Sequence, residues 1–236
     1  MCKKIFSKGK TKTLYCTEHV DFLIMKFRDD ISSKNGKNCS SIKQKGDVNN
    51  QLNYFIMNYL SKNDIPVHVI KLINKNQVLV KKLTMFPIEF VIRNRVAGSL
   101  SKRLHLEEGN IIKPQIFELF LKNDKKNDPM INESYCEAFG WISKQHLEKI
   151  YILLKNINNI LIKLFSKVQL ILVDFKLEFG LFKNNLTLGD EISLDCMRIW
   201  DKKTLKKMDK DRFRKNLNNI IESYKEVNQR LGIYDF

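Results

Sequence analysis

Residues 172–180, Leu-Val-Asp-Phe-Lys-Leu-Glu-Phe-Gly, alternate apolar and charged side chains without a break. Successive side chains of a strand point to opposite faces, so Asp174, Lys176 and Glu178 share one face and Val173, Phe175, Leu177 and Phe179 the other. A half-buried strand usually solvates its polar face with Thr, Ser or Lys. Two carboxylates bracketing an ammonium instead make a compact site for cations and anions together, as metal-assisted phosphate chemistry requires. The turn Lys183-Asn184-Asn185 and the return through residues 186–191 predict a hairpin that brings Asp190 beside Glu178. Paired carboxylates can hold Mg²⁺ while the ion keeps waters and nucleotide phosphates as further ligands. The pattern alone leaves a second reading open, in which Lys176 only neutralises its neighbours on a solvated sheet face.

A second alternating stretch, residues 86–99, carries two arginines and ends in a small-residue turn. Its Arg93, Arg95 and Ser99 can form an anion pocket from guanidinium forks and a hydroxyl. Near the N-terminus, Gly9-Lys10-Thr11-Lys12 lies in a turn between two short strands at residues 4–16. Gly9 permits close approach of backbone to a ligand, and Lys10 and Lys12 can meet phosphates. The Gly-x-x-x-x-Gly-Lys spacing of a P-loop is absent, so an ordinary lysine-rich surface turn is the competing reading.

Composition narrows the alternatives. A chain of 236 residues with 43% hydrophobic side chains can bury a sizeable core as one large domain or two small ones. Its longest aliphatic runs are far too short to span a bilayer and no apolar leader begins it, which predicts a cytoplasmic protein. The five cysteines are scattered, with no Cys-x-x-Cys pair and no His at ligand spacing, so reduced thiols are expected rather than disulfides or zinc. The net charge of +16 suggests nucleic-acid binding, but the lysines are spread through every segment among abundant Asn and Ile. A compositional bias accounts for that distribution better than a phosphate-backbone footprint. The histidines at 19, 68, 105 and 146 sit in no motif and read as surface or structural groups.

The periodicity predicts strands at 22–28, 67–73 and 77–83, and a polar loop from 31 to 46. Asp47 is expected to cap a helix whose Val48, Leu52, Phe55, Ile56, Tyr59 and Leu60 form one stripe. A crossing at 83–86 leads to a second lobe. This lobe has strands at 88–96 and 170–179, a long helix from Ser143, and a last helix from Asp209 to Leu231 ended by Gly232. Extended backbone at the crossing can bond an adenine edge, although apolar residues there are more often plain core.

Together these segments resemble the SAICAR synthetase (phosphoribosylaminoimidazole-succinocarboxamide synthase) family over nearly the whole chain. The resemblance also includes residues 45–50, 119–124, 128–133, 200–202 and 208–214. It implies an α+β, two-lobed fold with antiparallel sheets, packed helices and an ATP cleft, with residues 1–83 as the nucleotide lobe and 84–236 as the second. The implied reaction is ATP-dependent ligation of L-aspartate to carboxyaminoimidazole ribonucleotide, through an acyl phosphate, in a protein commonly homodimeric.

By the same resemblance, Lys10, Thr11 and Lys12 meet the ATP phosphates, Lys81, Leu83 and Met85 flank adenine, and Lys122 reaches the nucleotide. Glu178 and Asp190 would hold Mg²⁺. Arg93, Ser99, Asp174, Lys176 and Arg198 surround the ribonucleotide, Arg214 meets a carboxylate, and Asp174, Lys176 and Asp190 are the catalytic candidates. Another ATP-dependent ligase or a kinase on this scaffold, or a basic nucleic-acid-binding protein, stands as the alternative.

One departure carries a consequence. Around residues 33–43 the family often has acidic residues, where this chain has Asn35 and Lys43. A steep dependence of turnover on Mg²⁺ concentration is expected if those carboxylates ordinarily assist the metal; saturation at low Mg²⁺ would remove the idea.

Overall fold

The computed structural model describes residues 4–33 and 38–234, so Asn35 lies outside the described residues. Two antiparallel sheets organise the chain. The first runs in the order β1 (Ile5–Lys8), β2 (Lys12–Cys16), β3 (Phe22–Phe27), β7 (Gln77–Lys81) and β6 (Val69–Asn74). Between β3 and β6 come the small hairpin β4 (Asp30–Ser33) and β5 (Asn38–Ser41) and the helix α1 (Lys45–Ser61). The hairpin occupies part of the stretch expected to be loop. Its sequence is mostly polar because β5 is exposed, while Ile31 of β4 is buried and anchors the pair, which cross-strand pairing completes.

Helix α1 begins two residues before Asp47. Gln44 occupies the N-cap position in the left-handed conformation without a side-chain cap, and Asp47 lies in the first turn. The expected stripe does face inward, with Val48, Leu52, Ile56 and Leu60 fully buried and Phe55 and Tyr59 packed at its margin.

The second sheet runs β10 (Met130–Ile131), β9 (Ile111–Leu121), β8 (Thr84–Arg95), β11 (Leu170–Phe182) and β12 (Asn185–Gly189), with β13 (Met197–Asp201) also paired to β11. Between β8 and β9 lies α2 (Gly98–Leu104), and α3 (Glu133–Ala138) and α4 (Lys144–Lys167) precede β11. Ser143 caps α4 by accepting the His146 N–H, as its position before the apolar stripe predicts. That stripe covers the apolar face of the sheet, where Phe90 and Phe179 meet edge to face at 5.6 Å.

The alternation of β11 is not perfect. A bulge between Leu172 and Asp174 opposite β13 turns Val173 out of the main core, and it is buried instead with Ala97 and Trp200. Phe175, Leu177 and Phe179 keep the expected face. The predicted last helix is also interrupted, into α5 (Asp211–Arg214) and α6 (Ile220–Arg230). Arg212 donates to the carbonyls of Asn218 and Lys207, which satisfies the broken turn, and Asn216 and Asn219 take the left-handed conformations that reverse the chain. Tyr224 and Val227 of α6 are fully buried, whereas Leu217 is exposed.

The sheets are joined where the His68 N–H donates to the Leu188 carbonyl and the Leu188 N–H donates to Pro66. His68 is buried at this seam, as a structural histidine would be. Residues of α1, the second sheet and α6 belong to one continuous core. Among the described residues no helix is long and apolar enough to cross a membrane. Cys16, Cys39, Cys136 and Cys196 are not joined in disulfides.

Strand register also fixes charge. Asp174 lies opposite Arg93 on one side of β11 and Arg198 on the other. Arg198 reaches on to Asp211 at 2.8 Å. Burial disfavours the Asp211 carboxylate, but Arg198 and then Arg214 outweigh it and pull the group down to about 2.

Two outcomes test this frame. A Cβ on Gly180 would lie 2.6 Å from the Thr84 carbonyl oxygen and 3.0 Å from Met85 Cα. Gly180→Ala is therefore expected to cost about 1–3 kcal/mol in urea unfolding; an unchanged midpoint would mean that the segment around Thr84 yields freely. Because the folded pKa of Asp211 lies below its unfolded value, its contribution is present above about pH 4 and lost as pH falls toward 2. Asp211→Asn should remove roughly 2 kcal/mol of that acid-labile stability, read as a flatter stability profile over this window.

Candidate active site

The cleft between the sheets holds a cavity of about 280 Å³ with an apolar end and a charged end. Leu14, Leu23, Met25 and Val80 from the first sheet face Leu83 and Met85 across it. Two flat apolar walls at this separation suit an aromatic ring. Leu83 and Met85 can come this close because Gly180 and Gly189 leave room for them, a Cβ on Gly189 falling 2.9 Å from Leu83 Cδ1. Lys81 also lines the cavity, with its ammonium donating to the Val67 carbonyl at 3.1 Å.

At the charged end, Gly9 and Lys12 come from the N-terminal turn. Arg28 shapes that turn, donating to the carbonyls of Gly9, Lys10 and Lys12 at 2.8, 2.8 and 2.6 Å, while its own N–H donates to the Thr11 carbonyl. Lys10 and Thr11 thus contribute backbone to a fixed loop, and Lys12 contributes its ammonium to the cavity. Nothing in the local sequence marked Arg28 for this turn, because the carbonyls it holds there are sixteen or more residues away.

Lys12 is ion-paired to Asp190 and, at 2.8 Å, to Glu191. Burial disfavours its charge, but Asp190 and Glu191 outweigh burial and hold the pKa above the ordinary lysine value. Asp190 is likewise opposed by burial and held below the usual carboxylate range by Lys12 and then Lys176. The hairpin places Glu178 opposite Gly189, so Asp190 follows directly beside it. Glu178 is buried, with Oε1 bonded to Lys176 at 2.7 Å and Oε2 to Lys122 at 2.6 Å. Among the described residues no group of three or more His, Cys, Asp or Glu side chains forms a cage for an ion. Two carboxylates beside a phosphate-sized cavity fit Mg²⁺, which takes few protein ligands and fills its shell from phosphates and water.

Lys176 marks the boundary with a second cavity of about 460 Å³. Besides Glu178 it bonds Glu89 at 2.8 Å and stands 4.0 Å from Asp190. Burial opposes its charge, yet Glu178, Asp190 and Glu89 hold the ammonium well above the ordinary value. Glu89 shares the strand face of Arg93 and was legible as such, whereas its pairing with Lys176 depends on the β8–β11 register.

The second cavity is lined by Arg93, Ser99, Asp174, Lys176, Arg198 and Arg214 among others. An adjoining cavity of about 360 Å³ shares Ser99, Arg198 and Arg214 and adds Lys102 and Lys215. Arg93 donates to Asp174 at 2.9 Å and to Ser99 at 3.0 Å, and Arg198 donates to both oxygens of Asp174 at 3.0 and 2.8 Å. Arg214 bonds Asp211 at 2.6 Å, so it is anchored rather than merely solvated. Gly98, at a φ of +58°, lies against Arg198, where a Cβ would fall 2.3 Å from Nη2.

Arg95 departs from expectation. A register shift between Arg93 and Arg95 turns it toward a separate groove, where it donates to the Gly109 carbonyl at 3.0 Å. It takes no part in the anion pocket.

The arrangement joins a cleft with apolar walls and a charged end to a cationic pocket through one lysine. The SAICAR synthetase family model matches residues 5–231. The chain is 55% identical over 226 residues to the phosphoribosylaminoimidazole-succinocarboxamide synthase of Proteus mirabilis, covering 96% of this chain and 95% of that protein. It is 54% identical, with the same coverage, to the enzyme of that name from Serratia proteamaculans.

The crystal structure of the corresponding synthase from Ehrlichia chaffeensis superposes with a TM-score of 0.97 at 44% identity, covering 99% of this chain and all of that one. A SAICAR synthetase in complex with ADP gives 0.94 at 40% identity, covering 99% of this chain and all of that one. With sequence and fold in agreement along its length, the chain belongs to the SAICAR synthetase family of ATP-dependent ligases.

Proposed function

We propose that this chain joins L-aspartate to the carboxylate of carboxyaminoimidazole ribonucleotide, consuming ATP and releasing ADP and phosphate. Residues 1–83 and 84–236 act in this reading as the two lobes about the nucleotide. The observation that carries it is Lys176, which bonds Glu178 of the first cavity at 2.7 Å and itself lines the second. A nucleotide in one cavity and an anionic acceptor in the other would meet at that ammonium.

A carboxylate resists amine attack because its charge repels the nucleophile and its oxygen leaves poorly. Transfer of the γ-phosphoryl group forms a bond from substrate carboxylate oxygen to phosphorus and breaks the bond to ADP. The aspartate amine then bonds to the acyl carbon, phosphate departs with the bonding pair, and the amine loses a proton. Such a sequence calls chiefly for positioning and charge stabilisation.

In this assignment Leu83, Met85 and Lys81 border the adenine, Lys12 and Lys122 face the phosphates, and the turn carrying Lys10 and Thr11 closes over them. Glu178 and Asp190 would hold Mg²⁺, which when bound draws charge from the phosphoryl oxygens. Lys12 and Lys122, which now pair with these carboxylates, would then turn to the phosphates. Lys176 faces the acceptor carboxylate, where its fixed positive charge opposes the repulsion between two anions. Ser99, Arg198 and Arg214 offer donors to the ribonucleotide phosphate and to aspartate, while Asp174 orients the arginines.

Incubation with ATP, Mg²⁺, carboxyaminoimidazole ribonucleotide and L-aspartate, omitting each in turn, should yield ADP and the succinocarboxamide product by mass only when all four are present. ADP formation without that product would point to another acceptor. Asp190→Asn is expected to lower kcat by at least about a hundredfold, given the loss of one of two anionic metal ligands, with the fold intact by circular dichroism. Normal turnover in that variant would remove Asp190 from the metal site.

A further inference from the structure

The arginine at the floor of the second cavity is itself held from behind. Arg93 is 3% exposed, and its Nε and Nη2 both point at Glu118 Oε2, at 2.8 and 2.7 Å. Its remaining contacts are Asp174 and Ser99, which face the cavity. A guanidinium carries five N–H donors, and three of them hydrogen-bond these partners, one each to Glu118, Asp174 and Ser99. Arg93 is therefore committed mainly to holding other groups in place.

Glu118 is 3% exposed and comes from β9, where it lies opposite Val91 and diagonal to Arg93. Its second oxygen is used as well, because Oε1 accepts from Arg103 at the end of α2. The carboxylate thus sits between two guanidiniums, one buried and one with 36% of its side chain exposed. Without Glu118, the Arg93 charge would have only Asp174 as a counterion, and that carboxylate is already shared with Arg198. Arg93 would then draw Asp174 toward itself and away from Arg198, shifting both groups that shape the cationic pocket.

We propose that Glu118 is a positioning residue for ribonucleotide binding, acting through Arg93, with Arg103 as its outer anchor. This inference rests on the ribonucleotide reading of the second cavity. Glu118 touches neither cavity and holds no part of the adenine walls or the Lys12 turn. Its influence is confined to the acceptor side, whereas a merely structural role would affect both substrates alike.

The test uses the full chain and two ligands, ADP and carboxyaminoimidazole ribonucleotide, by calorimetry and by steady-state kinetics. Glu118→Gln should weaken ribonucleotide binding and raise its KM by at least about tenfold, the scale on which one partner of a buried charge pair acts. ADP affinity and the KM for ATP should stay within about twofold of the wild type. Arg103→Ala, at a half-exposed position, should give a smaller rise of about threefold in the same parameter, and Arg103→Lys should restore most of it.

Equal losses for both ligands, or unchanged ribonucleotide affinity in Glu118→Gln, would overturn the positioning role. Should Glu118→Gln fail to fold, the Arg103 pair decides: no ribonucleotide-specific change in Arg103→Ala overturns the proposal. Wild-type protein that binds ADP but not the ribonucleotide would overturn the substrate reading itself, an outcome distinct from failure in the variants alone.

Discussion

Asp174 accepts from Arg93 and Arg198 at once, and from that shared carboxylate an alternating chain of charge extends in both directions. One arm runs from Arg93 to Glu118 and Arg103, the other from Arg198 to Asp211 and Arg214. Most of these groups are buried, and an isolated buried charge is far more costly than one hydrogen-bonded to a partner. Each member is tolerable only because its neighbours are in place. The chain ties α2, β8, β9, β11, β13 and α5 into one arrangement, and its inner surface is the cationic pocket.

The nucleotide cleft follows a different principle. Its apolar walls come from opposite sheets, and their separation depends on small residues behind them, Gly180 and Gly189. At the far end, acidic and basic groups neutralise one another, with Lys12 shared by Asp190 and Glu191 and Glu178 shared by Lys122 and Lys176. In the proposed function such pairs need no rebuilding to receive a nucleotide with its cation. Phosphates can replace carboxylates around the lysines while the cation replaces lysines around the carboxylates, so both sets of groups remain paired.

Buried charge and apolar packing meet along β11. Phe175, Leu177 and Phe179 fix the strand against the core, while Asp174, Lys176 and Glu178 are presented from the opposite face. One edge of the strand serves two partners in turn, β13 from Leu170 to Phe175 across the bulge at Val173 and β12 from Glu178 to Phe182. A strand with its side chains locked by packing on one face is a rigid support for charged groups on the other.

Local pattern determined much of this. Period-two alternation identified β8 and β11 and the face carrying their charges. The stripes identified α1 and α4, Ser143 marked the start of α4, and the hairpin turn brought Asp190 to Glu178. These features are encoded within a few residues, where side-chain period and turn chemistry act directly. What depended on distant contacts was decided by the tertiary structure. Arg95 leaves the pocket through a register shift, and the last helix breaks where Arg212 bonds the Asn218 and Lys207 carbonyls. Arg28, Glu89 and Glu118 gain their partners only when strands far apart in sequence align. A buried charge has no local signature of its own, because its energy is set by the counterion that folding brings to it.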